Sequence, residues 1–201
     1  MDRRWTRVGW IVLLHLPWFG AISAQQPGMI RNSGFEASFS TSFLMPDWLS
    51  WGAGSTPDIQ PGQWGVVLPP RQGYTYLGLI NREDGTREGV YQKLQIPLEA
   101  GRCYYFTIAL ACARDYAGFK LPLSLEIKGV APGGGKPFRL VRSPLVTHDQ
   151  WQIYTMEFTP EQPVGTLILE AAPGPGVLIH YRGNLLLDAM SGVGRCIRAS
   201  L

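Results

Sequence analysis

Hydrophobic and polar residues alternate with a period of two through most of this chain. Arg102 to Ala113 is the clearest case. From Tyr104 on, its even positions are mostly large and apolar, while Tyr105, Thr107, Ala109, Ala111 and Ala113 on the odd side are mostly small. Such alternation marks a strand with two unlike faces. One face belongs in a core, and the other is shallow, with room for something to lie over it. Leu121 to Lys128 repeats the pattern, with Leu121, Leu123, Leu125 and Ile127 facing in and Ser124, Glu126 and Lys128 facing solvent. Gly73 to Ile80 sets Tyr74 and Tyr76 against Leu77 and Leu79, and Gly89 to Ile96 forms a strand closed by Pro97. Phe138 to Val146, Trp151 to Phe158, Gly165 to Ala172 and Asn184 to Val193 complete a set of about eight strands. Between them lie polar or Gly/Pro turns. One runs from Asn81 to Thr86, where Glu83, Asp84 and the nearby Glu88 read as solvated, and another from Ala131 to Pro137. Residues 37–72 read as loop. No segment after residue 24 has helical periodicity, so the pattern predicts a single all-β domain, a sandwich or jelly roll.

The N-terminus breaks this pattern. Arg3, Arg4 and Arg7 precede an apolar run from Val8 to Phe19, which ends in the small residues Gly20-Ala21-Ile22-Ser23-Ala24. That order is the layout of a cleavable export signal. The run is shorter than the roughly 20 residues that span a bilayer. Residues 1–24 are therefore expected to be a signal peptide and residues 25–201 a soluble, exported domain. No second apolar run of membrane length follows.

Charge then excludes one class of partner. The chain has 18 Lys and Arg against 15 Asp and Glu. Loss of Asp2, Arg3, Arg4 and Arg7 with the signal leaves 15 basic and 14 acidic residues, a net charge of +1. With no basic cluster, nucleic acid is not an expected partner. Cys103 and Cys112 fall on one strand, roughly 30 Å apart along it, too far to bridge. Cys112 shares the parity of the core residues. In an oxidising compartment the expected pair is Cys103–Cys196, and three free thiols are the alternative. A zinc site is disfavoured, because no CxxC or His pair accompanies the cysteines.

Several segments together resemble a known pattern. Met29-Ile30-Arg31-Asn32-Ser33-Gly34-Phe35-Glu36 resembles the opening of carbohydrate-binding-module-like jelly rolls of the galactose-binding-like superfamily, which a Trp follows, as Trp48 or Trp51 does here. Tyr91-Gln92-Lys93-Leu94, Leu98 and Gly101-Arg102-Cys103-Tyr104-Tyr105-Phe106 resemble its centre. Trp151 to Phe158 and Leu186-Leu187-Asp188-Ala189-Met190-Ser191 resemble its closing strands. Gly54-Ser55-Thr56-Pro57-Asp58 and the pair Arg87-Glu88 resemble a subgroup found in bacterial cell-envelope proteins. The resemblance spans the mature chain and implies a galactose-binding-like jelly roll. It also implies a structural Ca²⁺ held by Glu36 and Asp188, although Ala189 stands where the closing strand has a second Asp. The alternative is that both carboxylates hydrogen-bond backbone where the terminal strands meet. No organic cofactor is implied.

A glycan site needs exposed aromatic faces beside polar side chains. The candidates are Trp64, Tyr74, Tyr91 and Tyr116, with Arg87, Gln92, Arg114 and Asp115 supplying polar contacts; Trp151 and one of Trp48 or Trp51 are expected to be structural. Arg114-Asp115-Tyr116-Ala117-Gly118 follows a rigid strand, where binding groups are often placed. Catalytic motifs are missing. His148-Asp149 and His180 lack a nucleophile motif, and no E-x-D-x-x-E strand supplies paired carboxylates. The expected function is a secreted, non-catalytic carbohydrate-binding module. The alternatives are a structural or adhesive subunit of the cell envelope with a protein partner, and a jelly-roll glycan hydrolase or lyase.

Overall fold

The computed structural model describes residues 30–38 and 45–196. The expected signal peptide lies outside the described residues. Among the described residues there are twelve strands: β1 (Leu49–Trp51), β2 (Asp58–Gln60), β3 (Tyr76–Asn81), β4 (Gly89–Leu98), β5 (Tyr104–Ala111), β6 (Leu121–Pro122), β7 (Ser124–Val130), β8 (Phe138–Arg142), β9 (Gln152–Phe158), β10 (Val164–Ala172), β11 (Gly183–Asp188) and β12 (Gly194–Arg195). They form a jelly-roll sandwich of two sheets. One has the order β1-β4-β10-β7-β8. In the other, β12, β5, β11, β3 and β2 follow in order, with β9 along the free edge of β5 and β6 beside β11. All pairings are antiparallel except the two-residue contact of β6 with β11.

The period-two pattern explains the core. Tyr104, Phe106, Ile108 and Leu110 of β5 meet Leu77 and Leu79 of β3, Leu185 and Leu187 of β11, and Leu125, Ile127, Leu167 and Leu169 of the facing sheet, all fully buried. Cys112 joins them, and Cys103 is bonded to Cys196 with Cα atoms 5.4 Å apart. Residues 37–72, read as loop, contain the edge strands β1 and β2, too short to produce a sequence period. Leu121 also departs from expectation. It belongs to β6 in the other sheet and is half exposed, because the chain crosses between sheets at Leu123.

The shallow outer face of β5 is covered by the chain itself. Val66, Tyr76, Ile80, Ala111, Ala113, Tyr116 and Leu186 form a second, smaller core there, flanked by Leu68, Phe119 and Trp151. Segments 61–72 and 114–119 lie across the alanines. The Tyr76 hydroxyl donates to Leu68 O at 2.7 Å, the Trp151 indole donates to Pro69 O at 2.8 Å, and the Ala117 amide donates to Trp64 O at 2.9 Å. This cover carries the residues of the candidate site.

Candidate functional site

Two stretches remote in sequence, Gly54 to Asp58 and Arg87-Glu88, converge at one end of this outer face. Asp58 lies on edge strand β2 opposite Gly78, which has no side chain to crowd it. Glu88, just before β4, is 1% exposed. Its Oε2 accepts from the Ile80 amide at 3.2 Å, and its Oε1 accepts from Arg82 Nη2 at 2.6 Å and from the Thr56 amide and hydroxyl at 3.3 Å. Trp64 sits in a tight turn (Gln63–Gly65) with φ +54°. Its ring stays 61% exposed, while its Nε1 donates to Asp58 Oδ1 at 3.1 Å. Thr56, Asp58, Trp64, Ile80, Arg82, Glu88, Tyr116, Ala117 and Phe119 enclose a cavity of about 260 Å³.

Burial sets the electrostatics. It pushes the Asp58 carboxyl up to about 7, helped by the neighbouring charge of Glu88 and opposed by the Trp64 N–H and the Arg82 guanidinium. Burial also raises Glu88, against the pull of Arg82 and the donors from Ile80 and Thr56. The two carboxyls therefore differ in character. Glu88 is tied into the wall on both oxygens. Asp58 is a titratable group beside an exposed indole, the combination expected at functional sites. Sequence reading missed Asp58, Thr56, Arg82 and Glu88 as site residues. Glu88, expected to be solvated, is buried because Ile80 N and Arg82 wrap it. The signal that could have found the site was present, since Thr56, Asp58 and Glu88 belong to the two stretches that carry the subgroup resemblance.

The eight sequence-predicted ligand residues do not share one face. Trp64 and Tyr116 line the cavity, but Tyr116 is 1% exposed, packed edge-on to Phe119, and corrects the expectation of a surface ring. Arg114 and Asp115 line a separate depression with Val67, Pro69 and Asp149. Tyr74 is 85% exposed beside Glu36 and outside that cavity. Gln92 is buried and structural. Its Oε1 accepts from Arg31 N at 2.8 Å, and its Nε2 donates to the carbonyls of Arg31 and Asp47. Arg87 and Tyr91 lie on the opposite side of the molecule, on the outer face of the five-stranded sheet. Tyr91 packs edge-on against Trp51 there. Trp48, not Trp51, is the buried structural tryptophan, against Phe35.

That opposite face holds another correction. Glu126, expected toward solvent, is 5% exposed and stands directly across from Glu170 in the sheet register. Arg142 reaches Glu126 at 2.9 Å, Lys128 reaches Glu170 at 2.5 Å, and Arg87 lies 3.6 Å from both. Each acid faces several cations, so the pair is neutralised.

The calcium expected at Glu36 and Asp188 does not match what surrounds them. Both Glu36 oxygens accept from the Tyr74 amide, and Oε2 also accepts from Thr75 N. Asp188 Oδ2 accepts from the Arg71 and Gln72 amides, and Oδ1 from Ala189 N. Backbone N–H groups point at these carboxylates, whereas calcium needs six to eight oxygens. The residues fit the alternative of two carboxylates pinning segment 71–75, and burial raises Asp188 despite these donors. His148 is bracketed by Gln150 O and the Tyr154 hydroxyl and faces no nucleophile among these contacts.

No protein-family model and no curated protein sequence matches this chain. Solved structures do. The CBM22-1 xylan-binding domain from Paenibacillus barcinonensis Xyn10C aligns with a TM-score of 0.52 at 14% identity, over 88% of this chain and 100% of that chain. The CBM22-1–GH10 modules of the Clostridium thermocellum endo-1,4-β-D-xylanase 10B, complexed with xylohexaose, align with a TM-score of 0.50 at 12% identity over 88% of this chain. This chain spans 29% of the length of that xylanase chain. At such identities the likeness is one of fold, the jelly-roll sandwich that carbohydrate-binding modules use. Among the described residues, no helix is long and apolar enough to cross a membrane.

Proposed function

We propose that this protein is an exported, non-catalytic carbohydrate-binding module whose site is the cavity at Trp64 and Asp58. The observation that carries the reading is the exposed Trp64 ring, fixed through its N–H to Asp58 at the mouth of a largely apolar cavity. A sugar ring lays its C–H-rich side on such a platform, and the groups at its edge bind hydroxyls. Asp58 and Arg82 are at that edge. A hydrolytic role is less well supported. A glycosidase pair needs two working carboxyls, and Glu88 is held on both oxygens by Arg82, Thr56 and Ile80. The match of fold to xylan-binding modules makes xylo-oligosaccharides the first ligands to try.

The test is a glycan array followed by calorimetric titration of the mature protein and a Trp64→Ala variant. Saturable binding that Trp64→Ala reduces at least tenfold, at unchanged melting temperature, is the expected result. Binding that Trp64→Ala leaves intact would move the site elsewhere. A second reading, an adhesive subunit of the cell envelope with a protein partner, is favoured by one observation. Leu178 and Ile179 are 93% and 76% exposed at a loop tip, beside the half-exposed Val177. A blank glycan array together with self-association lost in Leu178→Ser would favour that reading.

A further inference from the structure

Within the cavity Arg82 and Glu88 satisfy each other, and Asp58 is left without a cation. Among the described residues, no Lys, Arg or His side chain lies within 4 Å of its carboxylate, and its side-chain contact is the Trp64 indole N–H. With Asp58 ionised, the lining carries two negative charges and one positive. Its remaining walls are the rings of Trp64, Phe119 and Tyr116 with Ile80, Ala117 and Thr56. The Tyr116 hydroxyl is buried in that wall without a hydrogen-bond partner. An acidic group with a hydrogen-bonded indole, a second carboxylate behind it and aromatic walls are complementary to a positive charge. An ammonium brings donors and charge to a carboxylate together, and ring faces attract it further. A neutral hydroxyl would leave the net negative charge unanswered, and an anion would meet both Asp58 and Glu88.

We propose that the pocket takes a small organic cation, and that on a glycan this is the protonated amine of an amino sugar, seated between Asp58 and the Trp64 ring. The amino-sugar part rests on the carbohydrate reading above, whereas the cation part does not. A proton and the ligand then compete for one carboxylate. Because the Asp58 carboxyl titrates at about 7, a permanently charged cation binds more weakly as pH falls below 7, approaching tenfold per pH unit. The charged groups around the cavity are Glu88, itself raised by burial, Arg82, and Arg182 over the Phe119 ring, and no histidine lines it, so loss of the slope in an Asp58→Asn variant is what assigns it to Asp58.

The experiment is calorimetric titration of the full mature chain and an Asp58→Asn variant. The four ligands are choline, a glucosamine oligosaccharide, its N-acetylated counterpart and a xylo-oligosaccharide. Asn keeps an acceptor for the Trp64 N–H, so the platform is retained. At pH 7 the amine-bearing oligosaccharide should bind about tenfold tighter than its N-acetylated counterpart, and Asp58→Asn should remove the difference. Choline affinity should rise between pH 6 and pH 7.5 in the native protein and stay flat in the variant. Equal binding of amine-bearing and N-acetylated sugars, or a preference that survives Asp58→Asn, overturns the inference while leaving the carbohydrate reading in place. Choline binding with every saccharide blank supports the cation pocket and overturns the carbohydrate reading.

Discussion

Replacing Asp58 by Asn should stabilise the protein by an amount that grows from about pH 4 and is full above about pH 7. The unfolded chain ionises this carboxyl near the ordinary 3.8, while the folded protein holds the proton until about 7. Between those values the folded state binds the extra proton, so its stability falls as pH rises from about 4 to about 7 and then levels off. At about 1.4 kcal/mol per pH unit, the difference gives an upper bound of about 4 kcal/mol. Solvent reaching the half-open cavity reduces it, and about 2 kcal/mol is the working figure. Asn has the same shape, keeps the indole bond and carries no charge to bury. Native and variant proteins should therefore match at pH 4, with the variant about 2 kcal/mol more stable at pH 8. Urea unfolding at pH 4, 5, 6, 7 and 8 measures this. Asp188, whose carboxyl is also raised, remains in both proteins and cancels in the difference, whereas the repulsion between Glu88 and Asp58 is part of the gap. A gap between native and variant that stays constant from pH 4 to pH 8 would refute the reasoning, because Asp58 would then titrate alike folded and unfolded.

Five further outcomes are expected. Gly73→Ala should cost about 3 kcal/mol, since Gly73 has φ +68° and a Cβ there would lie 1.7 Å from Glu36 Oε1, combining left-handed strain with lost carboxylate hydrogen bonds; thermal unfolding reads the loss. Reduction of Cys103–Cys196, whose partners are 93 residues apart, should destabilise by about 4 kcal/mol. Cys112, its thiol pushed up to about 11 by burial, should resist iodoacetamide until the protein unfolds, as mass spectrometry of labelled samples would show. Chelation of calcium should leave the melting temperature unchanged, because amides already hold Glu36 and Asp188. Glu126→Gln should cost about 2 kcal/mol at pH 7, since it leaves Arg142 and its neighbours without their buried acid; chemical denaturation of the variant beside the native protein checks it.

The sandwich was legible because its strands bury one face each. The even positions of Tyr104 to Leu110 and the odd positions of Leu123 to Ile127 are core as the alternation requires. The outer faces were not legible, because period-two logic assigns them to solvent by default. Glu126 and Ser124 looked exposed for that reason alone. Neither the cations that close over Glu126 from the turn before β4 and from β7 and β8 nor the loops that cover Ala111 and Ala113 leave a periodic trace. The aromatic candidates failed for a related reason. Side-chain type distinguishes Trp64 from Trp48 no better than it distinguishes Tyr74 from Tyr116, and exposure depends on which loop lies above each ring. Asp58 and Glu88 are 30 residues apart, and their meeting depends on β2 and β3 pairing at Asp58 and Gly78, which no local pattern announces.

The two outer faces treat buried acid in opposite ways, and the contrast supports the proposed site. On the five-stranded sheet, Glu126 and Glu170 stand opposite each other and would repel, but Arg87, Lys128, Arg139 and Arg142 supply counter-charge from three sides. Such a lattice fixes strand register and leaves little charge for a ligand. On the other sheet, Arg82 answers Glu88 alone, and Asp58 is held in a cavity with its charge unanswered. An uncompensated carboxyl lowers stability at neutral pH, and an Asn at the same position would fold without that penalty. What Asn cannot do is attract a cation or orient hydroxyls with a full charge beside the Trp64 ring. Stability and binding therefore pull in opposite directions at Asp58 and in the same direction at Glu126. A binding site differs from a structural ion cluster in that respect, and the pH profiles of Asp58→Asn and Glu126→Gln should separate the two.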